Sequence, residues 1–413
     1  MLGNELVVGL DIGTTKVSVV VGEQRESGRF DVIGVGYALT NDGVKKGTIV
    51  DIEKTTRAIV TAVEEAEKMA DVQIEHVCVG IAGAHINSVN SSGVVAIKGA
   101  GQEITSDDVD RAVENAKTNI TIPHHQEIIH ILPREFVVDE QKEIINPIGM
   151  VGSRLEAHVH LVTGAITAIQ NINKCCEMAR LKVDEVVLQP YASSMAVLTE
   201  DERKLGVVLI DIGGGTTDMI IFQNGRVVHS CCIPIGGQHV TNDLAIGLKA
   251  SSAYAEKLKI EKGAALLTCA DEQVTIELTG AGNGKSRVVS QRQLAEYIEP
   301  RMEEIFSDVK ERLVREVATD MIPAGVVMTG GTSLLTGCDE LAGEILGLAA
   351  RRGYPTECFG GLRDKVNSPI YATALGLIPY GFQILGHGAR PAPGLIGGLM
   401  DRVASTFRGW FTD

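Results

Sequence analysis

Hydrophobic runs broken by the same short polar segment occur twice along the chain. Residues 6–21 read LVVGLDIGTTKVSVVV, and residues 206–222 read GVVLIDIGGGTTDMIIF. Each copy runs from an apolar strand through Asp-Ile-Gly and a few Gly and Thr residues into a second apolar strand. Two apolar runs joined by so short a Gly-rich segment predict a β-hairpin. Asp11 and Asp211 stand 200 residues apart, so the pattern is an internal repeat and predicts two related α/β domains facing one another.

The remaining pattern adds strands and helices to both copies. Residues 31–37 predict a third strand, and 52–70 a helix through Ile52, Ile59, Val63 and Ala66. A short buried strand follows at 76–81, then a helix at 167–180 and a strand at 185–188. In the second half, strands are predicted at 207–212, 219–222, 227–232 and 325–329, and a helix near 338–346. Two segments interrupt the repeat. Residues 84–164 predict a small α+β insertion: a helix at 107–119 with Thr105, Ser106 and Asp108 as capping signals, then strands at 127–138 and 155–163. Residues 237–303 predict a second insertion rich in helices, with a strand near 274–278. A long helix at 290–317 carries Pro300, which predicts a kink.

The end of the chain has a different pattern. Residues 386–393 form a Gly/Pro linker. In 395–411, LIGGLMDRVASTFRGWF, the apolar residues Leu395, Ile396, Leu399, Met400, Val403, Phe407, Trp410 and Phe411 recur at spacings of three and four. That spacing predicts an amphipathic helix suited to a membrane surface.

Composition narrows the classes. With 413 residues, 44% apolar and 22% charged, the chain reads as ordinary globular protein of about two to four structural units. Only 4% of residues are aromatic, so the core must be aliphatic, as in α/β layers with buried parallel strands. A formal charge of -15 argues against nucleic acid as a partner. It also repels anionic lipid, so membrane contact must be local and apolar. The eight cysteines, with no C-x-x-C among them, read as reduced thiols. His158 and His160 face the same way on a predicted strand, a pattern that alone makes no metal site. The N-terminus carries no signal-peptide pattern, and no run of ~20 apolar residues predicts a membrane span.

The two hairpins suit a phosphate chain. Glycine lets backbone donors approach closely, and threonine hydroxyls add more. Gly13, Thr14, Thr15 and Lys16 can hold one side of a triphosphate, and Gly213, Gly214, Gly215, Thr216 and Thr217 the other. Asp11, Asp211 and Asp218 beside them would repel a polyanion unless a cation intervened, and Mg2+ reached through its waters fits. A single such Asp could equally cap a tight turn; the matched pair of hairpins favours the nucleotide. Gly330, Gly331, Thr332 and Ser333 follow an apolar strand and can approach adenine or the α-phosphate. Glu256 and Lys259, three apart on one helix face, can reach ribose hydroxyls or form a surface ion pair.

These residues resemble the actin, sugar-kinase and heat-shock chaperone ATPase superfamily. VGLDIGTTKV, INPIGMVGSRLEAHVHLVTG, DIGGGTTD, AEYIEPRMEEIF and the amphipathic tail resemble, within it, the FtsA family of bacterial actin-like division proteins. The resemblance implies an actin-like ATPase fold, two duplicated α/β domains around an ATP cleft. Its subdomains would be 1A (1–83, 165–199 and 367–385), 1C (84–164), 2A (200–236 and 304–366) and 2B (237–303), with a linker at 386–394 and a membrane-targeting helix at 395–413. It implies ATP and Mg2+ as ligands, and as partners the C-terminal peptide of FtsZ, further copies of this chain, inner-membrane lipid and later division proteins. Arg292 and Arg301 fall in the helix that would meet the FtsZ peptide, or are solvated surface charge. It implies a peripheral position on the cytoplasmic face of the membrane at the division site. Where filament-forming relatives carry Glu-Pro, this chain reads Gln189-Pro190. Glutamine can position water but cannot take its proton, so at most a weak ATPase is expected. The competing reading is a small-molecule kinase of the same superfold.

Overall fold

The computed structural model describes residues 6–25, 28–98, 101–278 and 287–385. Two sheets dominate it. The first has six strands in the order Lys182–Leu188, His76–Ile81, Leu6–Ile12, Lys16–Gln24, Phe30–Leu39, Phe359–Gly361. The second has five, in the order Arg226–Ile233, Thr217–Gln223, Val207–Ile212, Val326–Thr329, Ala350–Arg352. The hairpin strands pair antiparallel in both, and the first strand of each hairpin pairs parallel with a later strand. The repeat seen in the sequence is therefore a repeat of sheet topology.

The hairpin strands are apolar at every position because both of their faces are covered. In Leu6–Ile12 every residue after Leu6 is buried, and in Lys16–Gln24 a run of seven is. On one side lies helix Ile52–Ala70, whose N-cap Asp51 accepts from the Lys54 amide at 3.0 Å. On the other lies helix Ala372–Leu385, which also packs on helix Gln189–Val197. At this crossing a Cβ on Gly376 would fall on the Ala192 carbonyl oxygen, so the backbones touch and only glycine fits. Both helices follow strands of the first sheet, and from near their starts Gln189, Ser193 and Thr373 reach the aspartates of the two hairpins.

The first insertion is a four-stranded antiparallel sheet, ordered Asn87–Ala96, Arg154–Ala165, Gln126–Val138, Gln141–Ile144. Helix Ser106–Thr118 covers it, with Thr105 and Asp108 forming a capping box. Val109, Val113, Phe136, Leu155 and Val159 make a core of their own. Strand Asn87–Ala96 is absent from the sequence reading because its residues, NSVNSSGVVA, are mostly polar and largely exposed. The second insertion holds helices Gly237–Leu248 and Ser252–Lys262 and the hairpin Thr275–Leu278 with Arg287–Ser290. Helix Gln291–Glu316 continues through Pro300 as one element of 26 residues. No described helix is long and apolar enough to cross a membrane. The linker and amphipathic tail at 386–413 lie outside the described residues.

Candidate functional site

Both hairpins close in the same way. In the first, Asp11 pairs with Ser18 and Ile12 with Val17, and the Gly13 amide donates to Lys16 O at 2.8 Å. In the second, Asp211 pairs with Asp218 and Ile212 with Thr217, and the Gly213 amide donates to Thr216 O at 2.9 Å. The two loops meet across the cleft. A Cβ on Gly214 would stand 2.5 Å from Thr15 Cγ2, and one on Gly215 would collide with Thr14 Oγ1 and the backbone of Lys46. Thr14 is held in place, because its carbonyl accepts from Thr40 Oγ1 at 2.6 Å and its hydroxyl accepts from the Gly47 amide at 3.2 Å.

The carboxylates sit behind these loops, each tied to a crossing helix or its own hairpin. Asp11 accepts from Gln189 Nε2 at 3.0 Å and from Ser18 Oγ at 3.4 Å, with Lys16 Nζ 3.7 Å away. Asp211 accepts from Ser193 Oγ at 2.8 Å and Thr373 Oγ1 at 3.5 Å. Asp218 accepts from Thr216 Oγ1 at 2.9 Å. Lys16 also donates to Ser18 Oγ at 3.1 Å and to Ile370 O, and lies 5.3 Å from the centre of the Tyr371 ring. Ser18, Ser193, Thr373 and Tyr371 are site residues that the sequence reading missed. Ser18 had a signal: it is the positional twin of Asp218.

Burial raises all three carboxyl groups. It moves Asp11 above the usual carboxylate range despite Lys16, Asp211 to about 6 and Asp218 to about 7, with neighbouring carboxylates adding to the last two. Burial lowers Lys16, and Asp11 and Asp211 oppose that shift. Buried Asp11 and Asp218 and part-buried Asp211 thus share one ammonium, an excess of negative charge that a divalent cation would relieve. Among the described residues no three His, Cys, Asp or Glu stand close enough to ligate one ion directly. The donor set therefore fits a hydrated Mg2+, held through its water, better than a bare one.

Beside the second hairpin, Thr332 Oγ1 donates to Gly213 O at 3.1 Å, tying the 330–333 loop to it. Ser333 is buried and donates to Gly330 O at 2.7 Å. Gly331 keeps an open face, with nothing nearer its missing Cβ than Ile370 at 3.8 Å. Lys259 is buried, and its Nζ donates to Gly237 O at 3.0 Å, Thr241 Oγ1 at 2.9 Å and Glu256 Oε2 at 2.8 Å. An ammonium has three protons, so this one is saturated by protein acceptors. Lys259 pins helix Ser252–Lys262 to the start of helix Gly237–Leu248, and Glu256 is the partner left partly exposed. Across the cleft Glu256, after burial, helps raise the Tyr37 phenol.

The two arginines of the long helix differ. Arg292 is exposed and pairs with Glu272 at 2.9 Å. Arg301 grips Asp243 through two nitrogens, at 2.6 and 3.2 Å, and also donates to Glu304. That pair joins the long helix to helix Gly237–Leu248 and raises the guanidinium further.

Comparison with known proteins agrees across the chain. A family described as cell division protein FtsA matches residues 208–376, and one described as the SHS2 domain inserted in FtsA matches 83–163. The chain is 45% identical over 379 residues to the cell division protein FtsA of Pseudomonas aeruginosa, covering 92% of this chain and 90% of the relative. It is 39% identical to that of Bacillus subtilis, covering 92% and 84%, and 36% identical to that of Escherichia coli K12, covering 91% and 90%. Among solved structures, the PilM-PilN type IV pilus biogenesis complex superposes with a TM-score of 0.67 at 16% identity, covering 91% of this chain and 98% of that one. MreB5 of Spiroplasma citri bound to AMPPNP gives 0.56 at 14% identity, covering 93% and 99%. At such identities the likeness is one of fold, and the fold is the actin-like ATPase fold.

Proposed function

Since this chain belongs to the FtsA family of cell division proteins, we propose that it is an ATP-binding, polymerising tether between the FtsZ ring and the inner face of the cell membrane. The observation that carries the nucleotide half is the pair of matched hairpins, whose loops meet while Asp11, Lys16, Asp211 and Asp218 gather behind them. Gly13 to Lys16 would hold one side of the triphosphate and Gly213 to Thr217 the other. Mg2+ would sit by Asp11, Asp211 and Asp218, and its role is to offset their charge beside the phosphates. Gly330, Gly331, Thr332, Ser333 and Glu256 would line the nucleoside, with Lys259 fixing Glu256. The solved MreB5 relative was captured with AMPPNP, which supports a nucleotide in this fold.

Gln189 reaches Asp11 from the start of its helix. A glutamine there can orient a water but cannot deprotonate it, so ATP acts mainly as a ligand that closes the lobes, with weak hydrolysis at most. The family membership tells against a small-molecule kinase. Subdomain 1C, residues 84–164, would take part in filament contacts and meet later division proteins. Subdomain 2B, residues 237–303, would bind the FtsZ C-terminal peptide. Within it Arg292 would contact the peptide, because an exposed ion pair is exchanged at little loss. Arg301 would shape the groove by holding Asp243.

At the tail, burying about eight apolar side chains and ordering a helix nearly cancel, so one tail binds membrane weakly and a filament of tails binds strongly. The test is calorimetric titration with ATP and Mg2+, followed by liposome co-sedimentation of the full chain and of a chain ending at residue 394. Binding of ATP and loss of sedimentation on truncation are expected. Absence of ATP binding would overturn the nucleotide reading, and tail-independent sedimentation the tether.

A further inference from the structure

The inserted sheet is anchored on one lobe and reaches the other. At its base, His130 Nε2 accepts from the Leu188 amide at 2.9 Å, and its ring packs on Tyr191 and Tyr380 with centres 5.5 and 5.9 Å away. Leu132 and Val162 lie in the core built on the first sheet, which also takes in Val207, Leu209, Ile220, Phe222 and Val227 of the second. Leu188 is the residue from which helix Gln189–Val197 starts. The insertion is therefore packed onto the first lobe and touches the helix that carries Gln189.

Its outer strand faces the outermost strand of the second lobe. Asn87–Ala96 ends one sheet and Arg226–Ile233 ends another, and no backbone ladder joins them. Side chains span the gap instead. Ser88 Oγ donates to Ser230 O at 2.7 Å, and Asn90 Nδ2 donates to Val228 O at 3.1 Å. His160, on the neighbouring strand of the insertion, stands with Nδ1 2.7 Å from Asn90 Oδ1 and Nε2 2.9 Å from Ser230 Oγ.

These contacts fix the proton positions. The Asn90 amide nitrogen is directed at Val228 O, so its Oδ1 must accept, and His160 Nδ1 carries the hydrogen. Nε2 then accepts from the Ser230 hydroxyl. A neutral imidazole is satisfied at both nitrogens, and His160 is 1% exposed. Burial, with His229, Arg134 and His130 nearby, holds it down to about 3. Carbonyls of an edge strand ordinarily face water or another strand. Here two of them are taken by side chains from across the cleft.

We propose that Ser88, Asn90 and His160 form a brace through which the insertion, fixed to the first lobe, holds the outer strand of the second and limits how far the lobes can part. Lobe separation at this face must break all three contacts. Through Leu188 the same insertion bears on the helix that presents Gln189 to Asp11. The brace stands on geometry alone, while its effect on nucleotide release rests on the nucleotide reading above.

Hydrogen exchange of the full chain, read by mass spectrometry, tests it in Ser88→Ala/Asn90→Ala and in His160→Gln. The first variant removes only partly buried polar groups and keeps the test independent of the buried ring. Exchange in residues 226–233 should rise about tenfold in both variants while 207–212 stays protected. A fluorescent ATP analogue should then leave several-fold faster. Unchanged exchange at 226–233 in a double variant that keeps 207–212 protected would overturn the brace. Raised exchange with unchanged release would overturn the restraint on the lobes. Exchange is read without nucleotide, so a chain that bound no ATP would overturn the nucleotide reading and leave exchange to decide the brace.

Discussion

The two lobes repeat one backbone and divide the chemistry between them. Position by position, 11 pairs with 18 and 12 with 17 in one hairpin, as 211 pairs with 218 and 212 with 217 in the other. The side chains then diverge. The first loop carries Thr14 and Thr15 where the second carries Gly214 and Gly215, and the threonines occupy the space the glycines leave open. The first hairpin balances Asp11 with Lys16. The second has Thr216 in place of that lysine and Asp218 in place of Ser18, so its two acids have no cation of their own. The third strands differ as well: Phe30–Leu39 is flanked by Phe359–Gly361, whereas Arg226–Ile233 ends its sheet and meets the insertion. Duplication preserved what the backbone needs, and asymmetry arose where two copies must face each other.

The largest break in this comparison should come from filling a glycine on the second loop. Gly215→Val would drive a branched side chain into Thr14 and into the Lys46 backbone, which cannot move aside as a flexible side chain would. Affinity for ATP by calorimetry should fall about a hundredfold, the scale of ~3 kcal/mol of overpacking. Gly214→Ala meets only the Thr15 side chain, so pairing it with Thr15→Ser should restore most of its smaller loss. Equal rescue of Gly215→Val by Thr14→Ala would mean that Lys46 is not the wall it is taken to be.

Next in size is the charge division. Lys16→Ala removes the one ammonium among these three acids, and ATP affinity should drop about tenfold to a hundredfold at any Mg2+ concentration. Asp218→Asn removes one acid instead. Its effect should be about tenfold or less, and it should appear as a weaker dependence on Mg2+. If both variants lost affinity in the same Mg2+-dependent way, the lobes would not divide the work as described.

How far this was legible in sequence follows the same division. Hairpin strands buried on both faces left unbroken apolar runs, so Leu6–Ile12 and Val207–Ile212 could be read at once. Asn87–Ala96 could not, because its ladder with Arg154–Ala165 is made by backbone while its side chains serve solvent and the other lobe. Spacing foretold that Glu256 and Lys259 meet. It gave no sign of Gly237 O and Thr241, which complete the lysine's shell. Ser193 and Thr373, 180 residues apart, reach Asp211 from two helices, and local pattern carries no trace of such a meeting.

The contact of the insertion's His160 with the third strand of the second lobe offers a titration. Within the brace His160 is held to about 3, and released into water it returns to ~6.5. The braced state therefore binds fewer protons than the released state, so the brace is at full strength above pH ~6.5 and weakens as pH falls below it. The groups facing the ring push in the same direction: His229, paired with Glu316 and near Arg312, and Arg134 and His130 on strand Gln126–Val138. Protection of 226–233, corrected for intrinsic exchange, should drop about fivefold between pH 6.5 and 5.5 in the wild type and hold level in His160→Gln. A matching drop in both would assign the effect to His229 instead.

The smallest expected change is at Gln189. Its Nε2 donates to Asp11 Oδ1 at 3.0 Å from the first turn of the crossing helix. Gln189→Glu replaces that donor with a carboxylate beside a buried carboxylate, so two effects oppose. The new group can accept a proton from water, which favours hydrolysis. It also loses the hydrogen bond and repels Asp11, which raises its own pKa and turns it away from the site. General-base catalysis alone is worth about a hundredfold or more, and the repulsion should cancel most of it. Phosphate release should therefore rise only a few-fold, with ATP affinity slightly reduced. A rise near a hundredfold would mean that a missing base alone limits hydrolysis and that the Asp11 contact is dispensable. No rise at all would place the limit elsewhere, in the closing of Thr14 and Thr15 onto the second loop.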